Sequence, residues 1–426
     1  MNLAERDAAV IWHPYTNHFI YPLALPIVKA EGVYLYDDKG RKIIDAISSW
    51  WVNIHGHSHP YIAEKVHEQL LNLEHVIFAG FTHLPAIELA ERLLKILPGG
   101  HSKIFYSDNG STAVEVALKM ALQYWYNKNE PRKKIIAFSN SYHGDTFGVM
   151  SLGSRGAFSK PFEELLFDVI HIPVPTKENK KEILLTFNRI IAENKHEIAA
   201  FVFEPLVLGA GGMVIYDAEE LNELILLCKE NGIVTIADEV MTGFGRLGKM
   251  FATNYLKSEV DIICLSKGIT GGTMALGVTS CKEFLYQEFK INDRYKTFFH
   301  GHSFTANPIA CAASLASLDL FEQNNVFEKI KMIEQNHQQF VIDISNYANV
   351  LNPRSIGTIA AFEIAGKGKD SYFNEIRDKA YFYFLKKGIL LRPMGNTIYI
   401  LPPYCITEAE LKFIYSTIID FLTTDV

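Results

Sequence analysis

The chain has 426 residues, 48% hydrophobic and 21% charged, which is ample material for a sizeable core. A formal net charge of −7 argues against nucleic acid or an anionic membrane as the main partner, and 12% aromatic residues exclude a disordered chain. The five cysteines are dispersed without CxxC spacing, which excludes a disulfide framework or a structural zinc site and suits a reducing compartment.

The N-terminus, MNLAERDAAVIWHPY, lacks a basic region followed by an apolar one, and no apolar run approaches the roughly 18 residues of a membrane span. A cytoplasmic protein is expected. Residues 31–47 read as a hairpin, two apolar runs around Asp-Lys-Gly turn chemistry. Short apolar runs at 103–107, 134–138, 169–172, 199–204, 233–238 and 261–266 then alternate with periodic stretches such as 112–126 and 219–231. This alternation predicts βαβ units and a largely parallel sheet. From about residue 308 the pattern becomes α+β. A long helical stretch over about 308–345 is expected, then short strands near 355–364 and 397–401 and a closing helix at 408–422. The N-terminal hairpin is expected to pack with this second region.

Two glycine clusters invite a phosphate reading. Gly243-Phe-Gly245-Arg-Leu-Gly248 matches GxGxxG, the dinucleotide fingerprint. It follows Asp238 and Glu239, opens a poor helix and lies past the middle of the chain, so a loop needing backbone freedom explains it better. Ser107-Asp-Asn-Gly110-Ser111-Thr112 is the stronger candidate. It joins a strand to a periodic helix, where unpaired N–H groups and the helix dipole favour an anion. Thr112 with Glu115 is expected to form a capping box. His55, His57 and His59 read as a polar turn, and no metal site is expected.

Asp238 and Lys267 end two of the predicted strands. In a parallel sheet both side chains emerge at the carboxyl edge, where ligands bind. If those strands are neighbours, about 4.8 Å apart, both groups reach one small molecule. A lysine amine, an anion and a phosphate cradle together suit pyridoxal 5′-phosphate. Its aldehyde needs an amine, and its pyridine nitrogen needs a negative partner to act as an electron sink.

The chain resembles the class III pyridoxal-phosphate aminotransferases along essentially its whole length. The carrying segments are WHPYT (12–16), SSWW (48–51), DNGSTAVEVALKMALQYW (108–125), SYHGDTFG (141–148), EPLVLGAGGM (204–213), IADEVMTGFGRLGK (236–249), LSKGITGGTM (265–274), HGHSFTANP (300–308) and LRPMGNTIYILPPY (391–404). The resemblance implies a fold-type I PLP-dependent transferase of the α/β class. Residues 49–315 would form a large domain on a mostly parallel seven-stranded sheet. Residues 1–48 and 316–426 would form a small α+β domain.

The resemblance also implies roles. Lys267 would bond the cofactor's aldehyde and then shuttle a proton, Asp238 would face the pyridine nitrogen, and Tyr142 would stack on the ring. Gly110 and Ser111 would hold the phosphate, completed by His302 and Ser303 from a second copy, so a homodimer with shared active sites is expected. Gly301 would lie beside substrate, Arg392 would clamp a carboxylate, and Tyr15 and Trp50 would line the pocket. Asp145, Glu204, Arg246 and Tyr399 would stand behind these groups. WHPYT, SSWW and YHGDTFG resemble the branch acting in biotin biosynthesis. That branch transfers an amino group from S-adenosylmethionine to 8-amino-7-oxononanoate. Gly301-His302-Ser303 departs from the Gly-Pro-Thr usual there, which leaves lysine open as donor. Another class III ω-aminotransferase, a nucleotide-dependent oxidoreductase and a cofactor-binding regulator are the rival readings.

Overall fold

Runs that are apolar on both faces become strands covered on both faces. All six residues of Ile198–Phe203 and all five of Val234–Asp238 are buried, as expected for strands between two helical layers. The computed structural model describes residues 1–323, 325–365 and 374–424. Its main sheet has seven strands in the order His101–Ser107, Gly277–Lys282, Ile262–Leu265, Val234–Asp238, Ile198–Phe203, Lys134–Phe138 and Ile170–Ile172. Gly277–Lys282 runs antiparallel to both its neighbours, and the other pairings are parallel.

That reversed strand is absent from the run of strands predicted above. Its residues are small and hydroxylated, and the hydroxyls are satisfied internally. Thr279 Oγ1 donates to the Ala113 carbonyl at 2.7 Å and Ser280 Oγ to that of Lys103 at 3.2 Å. Polar side chains that bond across layers can thus occupy a core strand without an apolar pattern.

The hairpin forms as two strands, Tyr34–Asp37 and Lys42–Asp45, with a third, Ile27–Glu31, added in front. Ile389–Leu390 pairs in parallel with Lys42–Asp45, so residues at opposite ends of the chain share a sheet. Two expectations gain detail. The stretch 308–345 is two helices, Pro308–Gln323 and Val326–Ile344, because Asn325 takes the left-handed conformation at φ 48° and breaks the ladder. The strand at 355–364 is a hairpin, Val350–Ile356 paired with Ile359–Ile364, and Gly357 at its turn has φ 52°. No described helix is long and apolar enough to cross a membrane.

Candidate active site

The carboxyl edge of the main sheet brings Asp238 and Lys267 together. Asp238 closes Val234–Asp238 and lies in register with Cys264 of the adjacent parallel strand, three residues before Lys267. Lys267 opens a short 3₁₀ turn, Lys267–Thr270, with its own φ at 47°. Its ammonium nitrogen sits 4.8 Å from the Trp51 ring centroid. Burial pushes the Lys267 pKa down, opposed by Asp238 and Glu204 and assisted by Arg246. A lysine disfavoured as the cation is more often present as the free amine, the form that acts as nucleophile and accepts a proton.

Asp238 is braced from behind. His143 Nδ1 donates to Asp238 Oδ2 at 2.7 Å, and the Val240 amide donates to Oδ1 at 3.1 Å. Burial alone would lower the His143 pKa, but the bond to Asp238 and the charges of Asp238 and Glu204 outweigh it and hold it up. Its Nε2 is buried with no hydrogen-bond partner among the described residues. Glu204 is buried and accepts from the Tyr142 and Gly209 amides at 3.0 and 2.9 Å. Burial raises its pKa to about 7; His143 and the two amide bonds pull it down, and the Asp238 charge pushes it up.

The loop at Gly110 forms a capped helix start, Gly110–Asn127. The cap is Asn109, not the expected Thr112–Glu115 pair. Asn109 Oδ1 accepts from the Thr112 amide at 2.9 Å, and Thr112 Oγ1 accepts from the Asn109 amide at 3.1 Å. The helix therefore begins earlier, and Glu115 is free to accept from Thr146 Oγ1 and the Val149 amide, at 2.8 and 3.1 Å. A Cβ at Gly110 would fall 2.6 Å from Val240 Cγ1, on the residue that also binds Asp238. The cradle and the carboxylate are thus packed against each other. Gly144, at φ +130°, lets the loop bearing Tyr142 close over Ser111, where a Cβ would lie 2.1 Å from Ser111 Oγ.

The rim is aromatic and partly open. Tyr15 donates to Asp145 Oδ2 at 2.6 Å and meets Trp50 edge-on at 5.5 Å. Tyr142 joins them; burial, then Asp145 and Tyr15, push its phenol above the usual range. The Arg392 guanidinium carbon lies 4.8 Å from the Trp50 ring centroid. Tyr15 and Arg392 also line a cavity of about 330 Å³ walled by Tyr21, Tyr381 and Phe382. Tyr399 accepts from Trp51 Nε1 at 3.2 Å. Arg246 is buried and donates to Thr358 Oγ1, the Pro402 carbonyl and Ser48 Oγ at 3.2, 3.1 and 3.4 Å. It thereby anchors the GxGxxG segment as a packed loop.

SSWW is the strained part of the rim. Ser48, Ser49, Trp50 and Trp51 have φ of 51°, 46°, 77° and 73°, one turn of left-handed helix without glycine. That handedness costs roughly 1–2 kcal/mol per residue. The turn sends Trp51 under Lys267 and Trp50 against Arg392.

Gly301, His302 and Ser303 are not drawn into this cluster. Their loop bonds within itself, the His302 amide to Thr305 Oγ1 at 3.1 Å and Thr305 Oγ1 to the His302 carbonyl at 2.8 Å. It lies beside the middle of Gly110–Asn127, where Lys119 Nζ and His300 Nδ1 are 2.9 Å apart. The polar turn at 55–59 does find a carboxylate, His57 Nε2 to Asp45 Oδ2 at 2.9 Å, while His55 bonds Ser317 Oγ at 3.0 Å. Among the described residues no three His, Cys, Asp or Glu side chains group as metal ligands.

The family profile "Aminotransferase class-III" matches residues 15–422. The chain belongs to the class-III aminotransferases. This aminotransferase is 45% identical to the adenosylmethionine-8-amino-7-oxononanoate aminotransferase of Synechococcus elongatus, over 97% of the chain and 98% of that protein. It is 39% identical to the enzyme of that name from Helicobacter pylori, over 99% and 98%. The crystal structure of the Methanocaldococcus jannaschii enzyme of the same name matches with a TM-score of 0.93 at 35% identity, covering 99% of both chains. An ω-transaminase from Pseudomonas jessenii in complex with PMP matches with a TM-score of 0.94 at 26% identity, over 99% and 98%. Class-III aminotransferases are PLP-dependent transaminases, and the residues here suit that cofactor. A lysine amine, a carboxylate braced by His143 and a helix start rich in donors stand at one sheet edge.

His143 and Trp51 have no role that the sequence alone makes expected. His143 follows Tyr142 just after a predicted strand end, and that placement was its only available signal. Trp51 is the buried half of SSWW, where packing alone accounts for a tryptophan.

Proposed function

We propose that this chain transfers an amino group from S-adenosylmethionine to 8-amino-7-oxononanoate, giving 7,8-diaminopelargonate in biotin biosynthesis. The observation that carries this reading is the shared name of relatives 39% and 45% identical across nearly the full chain. Pyridoxal phosphate, when bound, supplies an electron sink and a carrier for the amino group. Lys267 would hold it through Nζ, then take and return the proton of the substrate carbon. Asp238, fixed by His143 and the Val240 amide, would face its pyridine nitrogen. Gly110 and Ser111 would bind its phosphate at the helix start, and Tyr142 would cover its ring. Arg392 would take the substrate carboxylate with its planar fork, with Tyr15 and Trp50 as the pocket wall and Gly301 of a second copy beside it.

The proposal includes a cytoplasmic homodimer in which His302 and Ser303 complete the partner's phosphate site. The self-bonded loop supports this, as do its neighbours Phe299 and Phe304, which are 75% and 63% exposed. The proposed domains are residues 49–315 and residues 1–48 with 316–426, supported by the pairing of Ile389–Leu390 with Lys42–Asp45. The donor is tested by half-reaction. Mixed singly with the loaded enzyme, S-adenosylmethionine should bleach the visible absorption band and lysine should not. Bleaching by lysine alone would assign the donor to lysine, the alternative that Gly301-His302-Ser303 leaves open.

A further inference from the structure

Four consecutive non-glycine residues in the left-handed region need an outside restraint, since isolated L-residues leave it readily. Asp45 supplies one. It is wholly buried at the end of Lys42–Asp45. Its Oδ2 accepts from Ser49 Oγ at 2.7 Å and His57 Nε2 at 2.9 Å, and its Oδ1 accepts from the Ile47 amide at 3.2 Å. Asn53 Nδ2 lies 3.1 Å from His57 Nδ1, so the amide donates there and leaves the proton on Nε2, pointing at Asp45. Ser48 is tied separately, donating to the Leu401 carbonyl at 2.8 Å. Entry to the turn, its second residue and the chain just beyond it are therefore held by one carboxylate.

We propose that Asp45 is a positioning residue for the reaction. It locks Ser48–Trp51 left-handed and so sets Trp50 against Arg392 and Trp51 under Lys267. This rests on the roles given above to Arg392 and Lys267. Asp45 touches neither of them, and its influence passes through the backbone of the turn. Without the lock the turn would relax, Trp50 would leave the guanidinium, and the substrate carboxylate would meet a less ordered clamp.

The test is steady-state kinetics of the loaded enzyme together with near-ultraviolet circular dichroism, which reads the indoles without substrate. Asp45→Asn is expected to raise KM for the keto substrate about tenfold, with kcat changed less, as for loss of a charge-assisted bond. It is also expected to alter the tryptophan dichroism. Ser49→Ala, which removes one hydroxyl and leaves Asp45 in place, should move both readouts the same way if Asp45→Asn does not fold. Adding Ser49→Gly to Asp45→Asn should bring KM back to within about twofold of the parent, because glycine takes φ near +46° without strain. Unchanged KM and dichroism in Asp45→Asn, with only a lower thermal midpoint, would overturn the proposal. So would failure of the glycine to rescue. If Arg392→Ala leaves KM unaltered, the carboxylate-clamp reading fails instead, and the dichroism still decides whether Asp45 holds the turn.

Discussion

The chemical end and the selective end of this site are built differently. Asp238, His143 and Glu204 are buried at a strand end or in the loops that follow one, each hydrogen-bonded within the chain, and the half-buried Lys267 sits over the Trp51 ring. Tyr15, Trp50 and Tyr142 are 40%, 39% and 37% exposed, on loops and a strained turn, and the loop at 301–303 bonds to its own neighbour Thr305. A rigid sheet edge would fix the groups proposed to react, whereas the rim can differ among relatives that share the chemistry. The ω-transaminase with a TM-score of 0.94 at 26% identity fits that division: its backbone is the same and three-quarters of its residues differ.

Substitutions at the two ends should have different consequences. Lys267→Ala should lower turnover by at least about a thousandfold, the scale of a lost general acid–base group together with its nucleophile. The far-ultraviolet circular dichroism should stay native, because the change removes one half-buried side chain at the start of a short 3₁₀ turn and no part of the main sheet. Turnover within tenfold of the parent would remove Lys267 from the chemistry. Arg392→Ala should act on binding, raising KM for the keto substrate about 10–100-fold with a smaller change in kcat, as for a lost bidentate charge pair. An equal loss in the two half-reactions, measured separately, would break the assignment of the rim to selection.

A smaller effect concerns pH. The folded pKa of Glu204 is raised to about 7, above its ordinary 4.5, and that of His143 is raised above 6.5. Both groups bind protons more tightly folded than unfolded. Their stabilising share is complete below the unfolded values and is lost as pH rises through the folded ones. Protein freed of cofactor should thus lose stability between about pH 5 and pH 8, with Glu204 contributing on the order of 3 kcal/mol. Glu204→Gln should flatten that slope in urea unfolding. An unaltered slope would mean that Glu204 is ionised throughout.

The two ends also differ in how far the sequence discloses them. Asp238 and Lys267 were readable because each ends a continuous apolar run, and a run buried on both faces can only be an inner strand. Gly110 was readable from the strand before it and the periodic helix after it. The left-handed turn was not. SSWW contains no glycine, and its conformation comes from Asp45, Leu401 and Arg246, which are close only in the fold. His143 was hidden likewise, since its partner lies 95 residues away. The strand Gly277–Lys282 and the break at Asn325 escaped for local reasons, the first a polar pattern in a buried strand and the second a single residue of unusual φ.

The claim that the buried end carries the chemistry comes down to one lysine. Borohydride reduction of the loaded enzyme, followed by digestion and mass analysis, would fix the cofactor to the lysine that holds it. The label is predicted on the peptide containing Lys267 and on no other. Label on a different lysine, with Lys267 unmodified, would contradict the account.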